Sequence, residues 1–142
     1  MSADIFIDTN VFIYHLDASE PRKHKIAERV VRSALSNADA CISFQVIQEC
    51  LNTVMRKARV RLDSDAARRY LDNVLAPLMQ VPASVGLYHS ALDLQGRFRF
   101  SFYDSLIVAA ALSAGCKQLY SEDMQHGQRV GGTLTITNPF AS

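Results

Sequence analysis

Short apolar runs alternate with longer amphipathic stretches along this chain of 142 residues. The runs lie at 5–7, 40–42, 79–81, 118–120 and 133–137. They are short, and the first is apolar on both faces, as expected for a strand buried inside a parallel sheet. Because helical periodicity fills the intervals, the pattern predicts an α/β fold of three layers, in which helices cover both faces of a central, mainly parallel sheet.

Residues that commonly cap helices precede the amphipathic stretches. A serine or aspartate at such a position accepts a hydrogen bond from a free backbone N–H of the first turn. Pro21 supports the first of these starts, because proline fits the first turn of a helix. Gly115 supplies the stop of the last helix. We therefore predict helices beginning at or after Ser19, Ser43, Asp63 or Ser64, Ser84 and Ser101, with the fourth ending near Leu94.

Composition and charge narrow the class of protein. Hydrophobic residues make up 49% of the chain and charged residues 20%, which is ordinary for a globular fold. The formal net charge of +1 creates no overall field that would attract nucleic acid, so any such binding must depend on local patches. No repeat or linker interrupts the pattern, and we predict one domain over residues 1–142.

The cysteines and the apolar runs indicate where the protein works. Cys41, Cys50 and Cys116 are odd in number and form no CxxC pair, which is typical of free thiols in a reducing compartment. The longest apolar run is too short to cross a bilayer. We therefore expect a cytoplasmic protein that has no contact with a membrane.

Four acidic residues occupy comparable places in the predicted α/β pattern. Asp8 ends the first strand, and Asp123 follows the strand at 118–120. Glu49 lies two turns into the helix after the second strand, and Asp104 lies in the first turn of the helix that Ser101 begins. Ligands of open α/β sheets bind beyond the carboxyl ends of the strands. The pattern therefore predicts that the four carboxylates meet at one edge of the sheet.

Each acid taken alone has an ordinary explanation as a turn, cap or surface residue, but four at one edge need a cation or shared protons. Two carboxylates about 4 Å apart repel each other by about 4 kcal/mol at an effective dielectric constant of about 20. Oxygen ligands without histidine or cysteine favour Mg²⁺ or Mn²⁺. The chemistry that such a site indicates is phosphodiester hydrolysis by metal-activated water, with Asp8 or Asp104 orienting the water or taking its proton.

Four stretches carry a resemblance to a known family. They are FIDTN at 6–10, the helix from Ser43 to Glu49, YDSLIVAAAL at 103–112 and LYSED at 119–123. Together they resemble the signature stretches of the PIN-domain nucleases, most of all the VapC-type toxin ribonucleases of toxin–antitoxin pairs. The resemblance implies a PIN-like α/β/α fold and cleavage of single-stranded regions of RNA with Mg²⁺ or Mn²⁺. It implies that the catalytic and metal-binding residues are Asp8, Glu49, Asp104 and Asp123.

The resemblance also implies supporting residues and partners. Thr9 matches the small polar residue after the first acid, and Ser121 matches the hydroxyl residue two positions before the last acid. Asn10 is expected to brace the same loop from outside the ligand set. Glu122 directly precedes Asp123, and either could complete the site. Members of the family pair with a small antitoxin that lies over the active-site groove, and they form homodimers.

A basic and aromatic stretch precedes the helix that carries Asp104. Arg97 and Arg99 alternate with Phe98 and Phe100. Arginines can bind phosphates and aromatic rings can stack on bases, so we predict RNA contacts here. Packing of the two phenylalanines in the core is the alternative.

Three other functions are compatible with parts of the pattern. A phosphatase of the haloacid-dehalogenase type would use Asp8 as its nucleophile, but it needs a second aspartate where this chain has Asn10. A PIN-like nuclease of RNA processing would act outside a toxin–antitoxin pair. A PIN-like scaffold would bind RNA or a protein partner without cutting, and it would have no need for four mutually repelling acids.

Overall fold

The computed structural model describes residues 3–56 and 61–141, and its strands and helices alternate as the sequence predicts. The strands are β1 (Ile5–Ile7), β2 (Ala40–Ser43), β3 (Met79–Val81), β4 (Gln118–Tyr120), β5 (Arg129–Val130) and β6 (Leu134–Thr137). The helices are α1 (Thr9–Leu16), α2 (Pro21–Asn37), α3 (Phe44–Arg56), α4 (Ser64–Tyr70), α5 (Ala76–Leu78), α6 (Val85–Arg97) and α7 (Phe102–Ser113). A π-helical turn at Leu71–Leu75 joins α4 to α5.

The six strands form one sheet in the order β3-β2-β1-β4-β6-β5. Every neighbouring pair is parallel except β5 and β6, which are antiparallel. Helices flank this sheet on both faces, which confirms the predicted three-layer α/β fold. Because β1 lies between β2 and β4, the residue after β1 stands at the middle of the carboxyl edge.

Helix α7 forms the centre of the hydrophobic core. It is apolar on nearly all sides, and its residues from Ser105 to Ala111 are all buried. A helix with this composition is stable only when other elements surround it. It packs on α6 and contacts β2 and β4. Its first turn carries Asp104, so the core fixes the position of that acid relative to the sheet.

Two predicted capping residues are wrong, and one helix was not predicted. Helix α1 begins directly after Asp8, whose side chain accepts a hydrogen bond from the backbone N–H of Thr9 at 2.8 Å. Ser19 does not cap α2, because its backbone N–H and hydroxyl donate to Asp17 at 2.9 and 2.6 Å. Glu20 precedes α2 without a capping bond from its side chain. Ser43 is the last residue of β2, and its buried Oγ has no partner within the described residues.

The other predicted starts are confirmed, and the ends of two elements differ. Ser84 and Ser101 accept hydrogen bonds from the N–H groups of Leu87 and Asp104, each at 3.1 Å. Helix α6 continues three residues beyond Leu94 to Arg97. The final strand begins one residue later than predicted, and the two-residue strand β5 was not predicted.

Within the described ranges, none of the helices combines the length and apolar character needed to cross a bilayer.

The start of α4 gives a test of the local structure. The sequence left Asp63 and Ser64 as alternative caps, and the structure shows the Asp63 carboxylate accepting a hydrogen bond from the N–H of Ala66 at 2.8 Å. Asp63→Ala should therefore lower the free energy of unfolding by about 1 kcal/mol. Ser64→Ala, the matched control, should change it by less than about 0.5 kcal/mol. Urea denaturation measures both values, and equal losses would contradict the assignment of the cap.

Candidate active site

The four predicted acids line one cleft at the carboxyl edge of the sheet. The cleft has a volume of about 210 Å³. Asp8 reaches it from the end of β1, Glu49 from α3, Asp104 from the first turn of α7 and Asp123 from the segment after β4. Thr9, Asn10 and Gln45 also line it. Residues up to 115 positions apart in sequence thus meet in one small space.

Asp8 is held by two hydrogen bonds. Its Oδ1 accepts from the backbone N–H of Thr9 at 2.8 Å, and its Oδ2 accepts from the hydroxyl of Ser121 at 2.9 Å. Burial raises the pKa of Asp8 to about 6, and the nearby charges of Glu49 and Asp104 add to the increase. The two hydrogen bonds favour the ionised form but do not offset the burial. The carboxyl is therefore held in one orientation at a free-energy cost.

Glu49 is connected to Asp8 through Thr9. Thr9 Oγ1 donates to Glu49 Oε1 at 3.4 Å. Loss of solvent raises the pKa of Glu49, the charge of Asp104 adds to that effect, and hydrogen bonds from Thr9 and Gln45 oppose it. Thr9 thus contacts two of the acids, Asp8 through its backbone N–H and Glu49 through its hydroxyl.

Asp104 and Asp123 complete the cleft. Loss of solvent raises the pKa of Asp104, and the charge of Asp123 raises it further. Ser101, which caps α7, opposes this change by its hydrogen bond to Asp104. Asn10 Nδ2 donates to Asp123 Oδ2 at 2.7 Å. Asn10 therefore contacts one of the acids directly.

Glu122 lies outside the cleft and is engaged elsewhere. Its Oε1 accepts a hydrogen bond from the hydroxyl of Tyr14 at 2.7 Å, and its Oε2 lies 2.6 Å from Nζ of Lys23. The paired carboxylate raises the pKa of Lys23 above the usual range of lysine. Of the two neighbouring acids, Asp123 is the one that lines the cleft. Glu122 instead connects the segment after β4 to α1 and α2.

Gln45 is a residue of the cleft that the sequence interpretation did not select. Its side chain is only 4% exposed, and its Nε2 donates to the backbone oxygen of Tyr103 at 3.1 Å. This bond connects α3 to the first turn of α7. Gln45 stands one helical turn before Glu49, so its spacing was the available signal. Within the described residues its Oε1 accepts no hydrogen bond.

The donor atoms of the cleft suit a hard divalent cation. All four ionisable groups are carboxylates, and mutual charge effects connect Asp8, Glu49, Asp104 and Asp123. No three acidic, histidine or cysteine side chains of the described residues form a ready ligand cluster. Mg²⁺ commonly binds through one or two carboxylates and keeps several waters. The arrangement therefore fits a partly hydrated ion better than an ion enclosed by protein ligands.

A second pocket, which we call the adjoining pocket, shares Asp104 and Asp123 with the cleft. It has a volume of about 280 Å³, and Arg99 and Phe100 are among its lining residues. Arg97 lies instead over the ring of Phe98, 5.6 Å from the ring centre. The rings of Phe98 and Phe100 stack at 5.6 Å and pack against the core, as the packing alternative expected.

A larger cavity lies away from these acids. It has a volume of about 420 Å³ between α2 and the sheet, and it is lined mainly by apolar side chains such as Ile26 and Val30. None of the four cleft acids lines it. Size alone therefore does not locate the chemistry in this protein.

Three solved structures illustrate the likeness of this fold to known proteins. VapC20 from Mycobacterium tuberculosis, described as a toxin that cleaves the sarcin–ricin loop, is 22% identical with a TM-score of 0.59, over 84% of this chain and 89% of that one. FitAcB from Neisseria gonorrhoeae is 16% identical with a TM-score of 0.66, and the match covers 96% of this chain and 98% of that one. A chain of a toxin–antitoxin complex from Klebsiella pneumoniae is 14% identical with a TM-score of 0.65, and the match covers 95% of this chain and 97% of that one.

The sequence comparison assigns the family. No curated protein matches the chain significantly. The family model of the PIN domain matches residues 5–129, a range that contains all four acids of the cleft. Since this match covers most of the chain, the protein belongs to the PIN domain family.

Proposed function

We propose that this protein is an endoribonuclease that depends on Mg²⁺ or Mn²⁺ and cuts single-stranded regions of RNA. It acts in the cytoplasm as the toxin of a toxin–antitoxin pair, with residues 1–142 as one domain and a small antitoxin as its partner. The observation that carries the proposal is the cleft in which Asp8, Glu49, Asp104 and Asp123 meet. Membership of the PIN domain family and the fold shared with known toxins support it.

The side chains of the cleft have different roles in the proposed hydrolysis. A bound Mg²⁺ or Mn²⁺ would supply an activated water and offset the negative charge of the phosphate. We assign the task of orienting that water or accepting its proton to Asp8 or Asp104; loss of solvent raises the pKa of each, as it also does for Glu49. Ser121 and Thr9 hold the oxygens of Asp8, and Asn10 holds Asp123. Arg99 offers a phosphate contact beside the acids.

The phosphatase alternative has less support. It would need an acid at position 10 to act beside Asp8, and Asn10 uses its amide to donate to Asp123. The RNA contact expected of Arg97 stays a prediction.

An apolar stripe on α6 supports a homodimer. Val85, Tyr88 and Leu92 follow one another at helical spacing, and they are 72, 40 and 56% exposed. We propose that a second copy of the chain covers this stripe with the same stripe of its own. Such a contact is self-complementary about a two-fold axis, which is the commonest symmetry of soluble oligomers.

The nuclease proposal predicts a metal-dependent activity that Asp104 controls. Wild-type protein should cut a mixed pool of single-stranded RNAs in Mn²⁺ or Mg²⁺ and should not cut in EDTA. Asp104→Asn should lower the initial rate by about 100-fold or more, because it removes a charge from the cleft at nearly constant volume. Labelled RNA and gel separation give the rates.

Asp72→Asn is the matched control, since Asp72 is exposed on the π-helical turn and does not line the cleft. This variant should keep the wild-type rate. Cleavage that survives in EDTA or in Asp104→Asn would contradict the assigned site. Binding without cleavage by the wild type would instead support the scaffold.

The raised pKa of Asp8 predicts a stability that depends on pH. The folded protein holds this proton more tightly than the unfolded chain, whose value is near 3.8. Wild type should therefore lose stability relative to Asp8→Asn as the pH rises from about 4 to about 6. In EDTA at pH 7.5 the variant should be about 1 to 3 kcal/mol more stable, and at pH 4 the advantage should disappear.

Mn²⁺ should reverse this order, since the ion binds only the folded protein and requires the ionised acid. Millimolar Mn²⁺ should raise the melting temperature of wild type more than that of Asp8→Asn. Thermal melts in four buffers, with and without Mn²⁺ at both pH values, measure the effect. Equal shifts in the two proteins would contradict a metal site at Asp8.

The dimer proposal predicts that a charge within the stripe separates the subunits. Leu92→Glu should convert a dimer into a monomer in light-scattering measurements, because it places a carboxylate in an apolar contact. Leu35→Glu on α2 is the control, since Leu35 is also exposed, at 40%. It should remain dimeric. A monomeric wild type, or a dimeric Leu92→Glu, would reject this interface.

A further inference from the structure

The adjoining pocket extends the catalytic cleft in one direction. Asp104 and Asp123 line both the cleft and the adjoining pocket. An RNA strand whose phosphate lies at the acids must continue past them over the neighbouring surface of the protein. The other walls of the adjoining pocket are Arg99, Phe100 and the side chains of residues 124, 125 and 128. This wall contains a cation, an aromatic ring and two glutamine amides, and none of these groups belongs to the acidic set.

A firmly anchored turn carries the two glutamines. Gly127, with a φ of 87°, allows the chain to reverse at this point. The backbone N–H of Gly127 donates to the oxygen of Ile136 at 2.7 Å, and the N–H of Ile136 donates to the oxygen of Gln128 at 2.8 Å. The N–H of Gln128 also donates to the oxygen of Gln125 at 3.3 Å. The backbone of the turn is thus attached to β6, and its bonds leave the glutamine side chains available.

Three polar side chains of this pocket have no partner among the described residues. Within residues 3–56 and 61–141, the side chains of Arg99, Gln125 and Gln128 form neither a hydrogen bond nor an ion pair. Met124 is buried beside them and gives the pocket an apolar base. Uncommitted amides and a guanidinium beside a catalytic cleft are groups that a polar ligand can engage without first breaking protein contacts.

The chemistry of these groups matches a nucleotide. A glutamine amide donates and accepts at once, which lets it pair with the edge of a base. Single-stranded RNA exposes those edges and stacks its bases on aromatic or guanidinium planes. A guanidinium also binds phosphate through two parallel hydrogen bonds. A nucleotide next to the cut phosphate would meet all three kinds of group here.

We propose that the adjoining pocket is the subsite for the nucleotide next to the cleaved bond, and that Gln125 and Gln128 read its base. Arg99 holds the backbone of the same strand and contributes little to the choice of base. The pocket therefore sets the sequence preference of cleavage. This inference rests on the proposed ribonuclease function and adds a specificity-determining site to it.

The test compares base preference at each position around the cut. Wild type, Gln125→Leu and Gln128→Leu are incubated with Mn²⁺ and a pool of random single-stranded RNA oligonucleotides, and the product ends are sequenced. One good base contact of this kind is worth about 1–3 kcal/mol, or roughly a 5- to 150-fold preference. At least one of the two variants should lower the preference at one position beside the cut by about 5-fold or more, while cleavage itself continues.

Two further variants separate specificity from general loss of function. Gln95→Leu makes the same change at an exposed glutamine of α6 that does not line the pocket, and it should keep the wild-type preference. Arg99→Gln should raise the KM for every sequence about equally and leave the preference unchanged. Melting temperatures within about 2 °C of wild type would establish that the variants are folded.

The outcomes distinguish this inference from the function on which it rests. If wild type cuts RNA and both glutamine variants keep the wild-type base preference, the subsite is overturned. The pocket would then be left to a peptide of a protein partner. A wild type without any base preference beside the cut would overturn it as well. Absence of cleavage by wild type in Mn²⁺ would overturn the ribonuclease proposal, and the subsite with it.

Discussion

The loss of solvent around one half-buried carboxylate, at the end of the central strand, is the constraint around which this protein is organised. Asp8 ends β1, caps α1 and faces the cleft, so a single residue connects the sheet, the first helix and the candidate chemistry. Its two hydrogen bonds orient it without offsetting the cost of burial. Binding of a ligand can offset this cost. A divalent cation would stabilise the ionised carboxylate against both the loss of solvent and the neighbouring negative charges.

The segment after β4 shows how the fold supports that arrangement. Three successive residues have three different partners: Ser121 donates to Asp8, Glu122 pairs with Lys23, and Asp123 accepts from Asn10. The ion pair of Glu122 lies outside the cleft but fixes the segment against α2. Neighbouring acids can therefore have separate tasks, one structural and the other facing the cleft.

The sequence predicted those features that depend on local pattern. The strands other than β5, the caps at Ser84 and Ser101 and the three-layer architecture follow from periodicity and capping chemistry within a few residues. Helix α1 was missed because the polar residues Asp8, Thr9 and Asn10 were interpreted as the end of β1, whereas Asp8 is the cap of a helix that begins at Thr9. The capping role expected of Ser43 fails because β2 extends through it. The partner of Glu122 lies 99 residues away, and no local pattern carries that information.

Anomalous diffraction from crystals grown with Mn²⁺, recorded at the manganese absorption edge, tests whether the four carboxylates bind a metal ion together. We expect a strong anomalous peak inside the cleft, from an ion bound by Asp8 and by at least one other of the four acids. A cleft without a peak at saturating Mn²⁺, or a peak found only elsewhere on the protein, would contradict the claim that these carboxylates form one metal-dependent catalytic site.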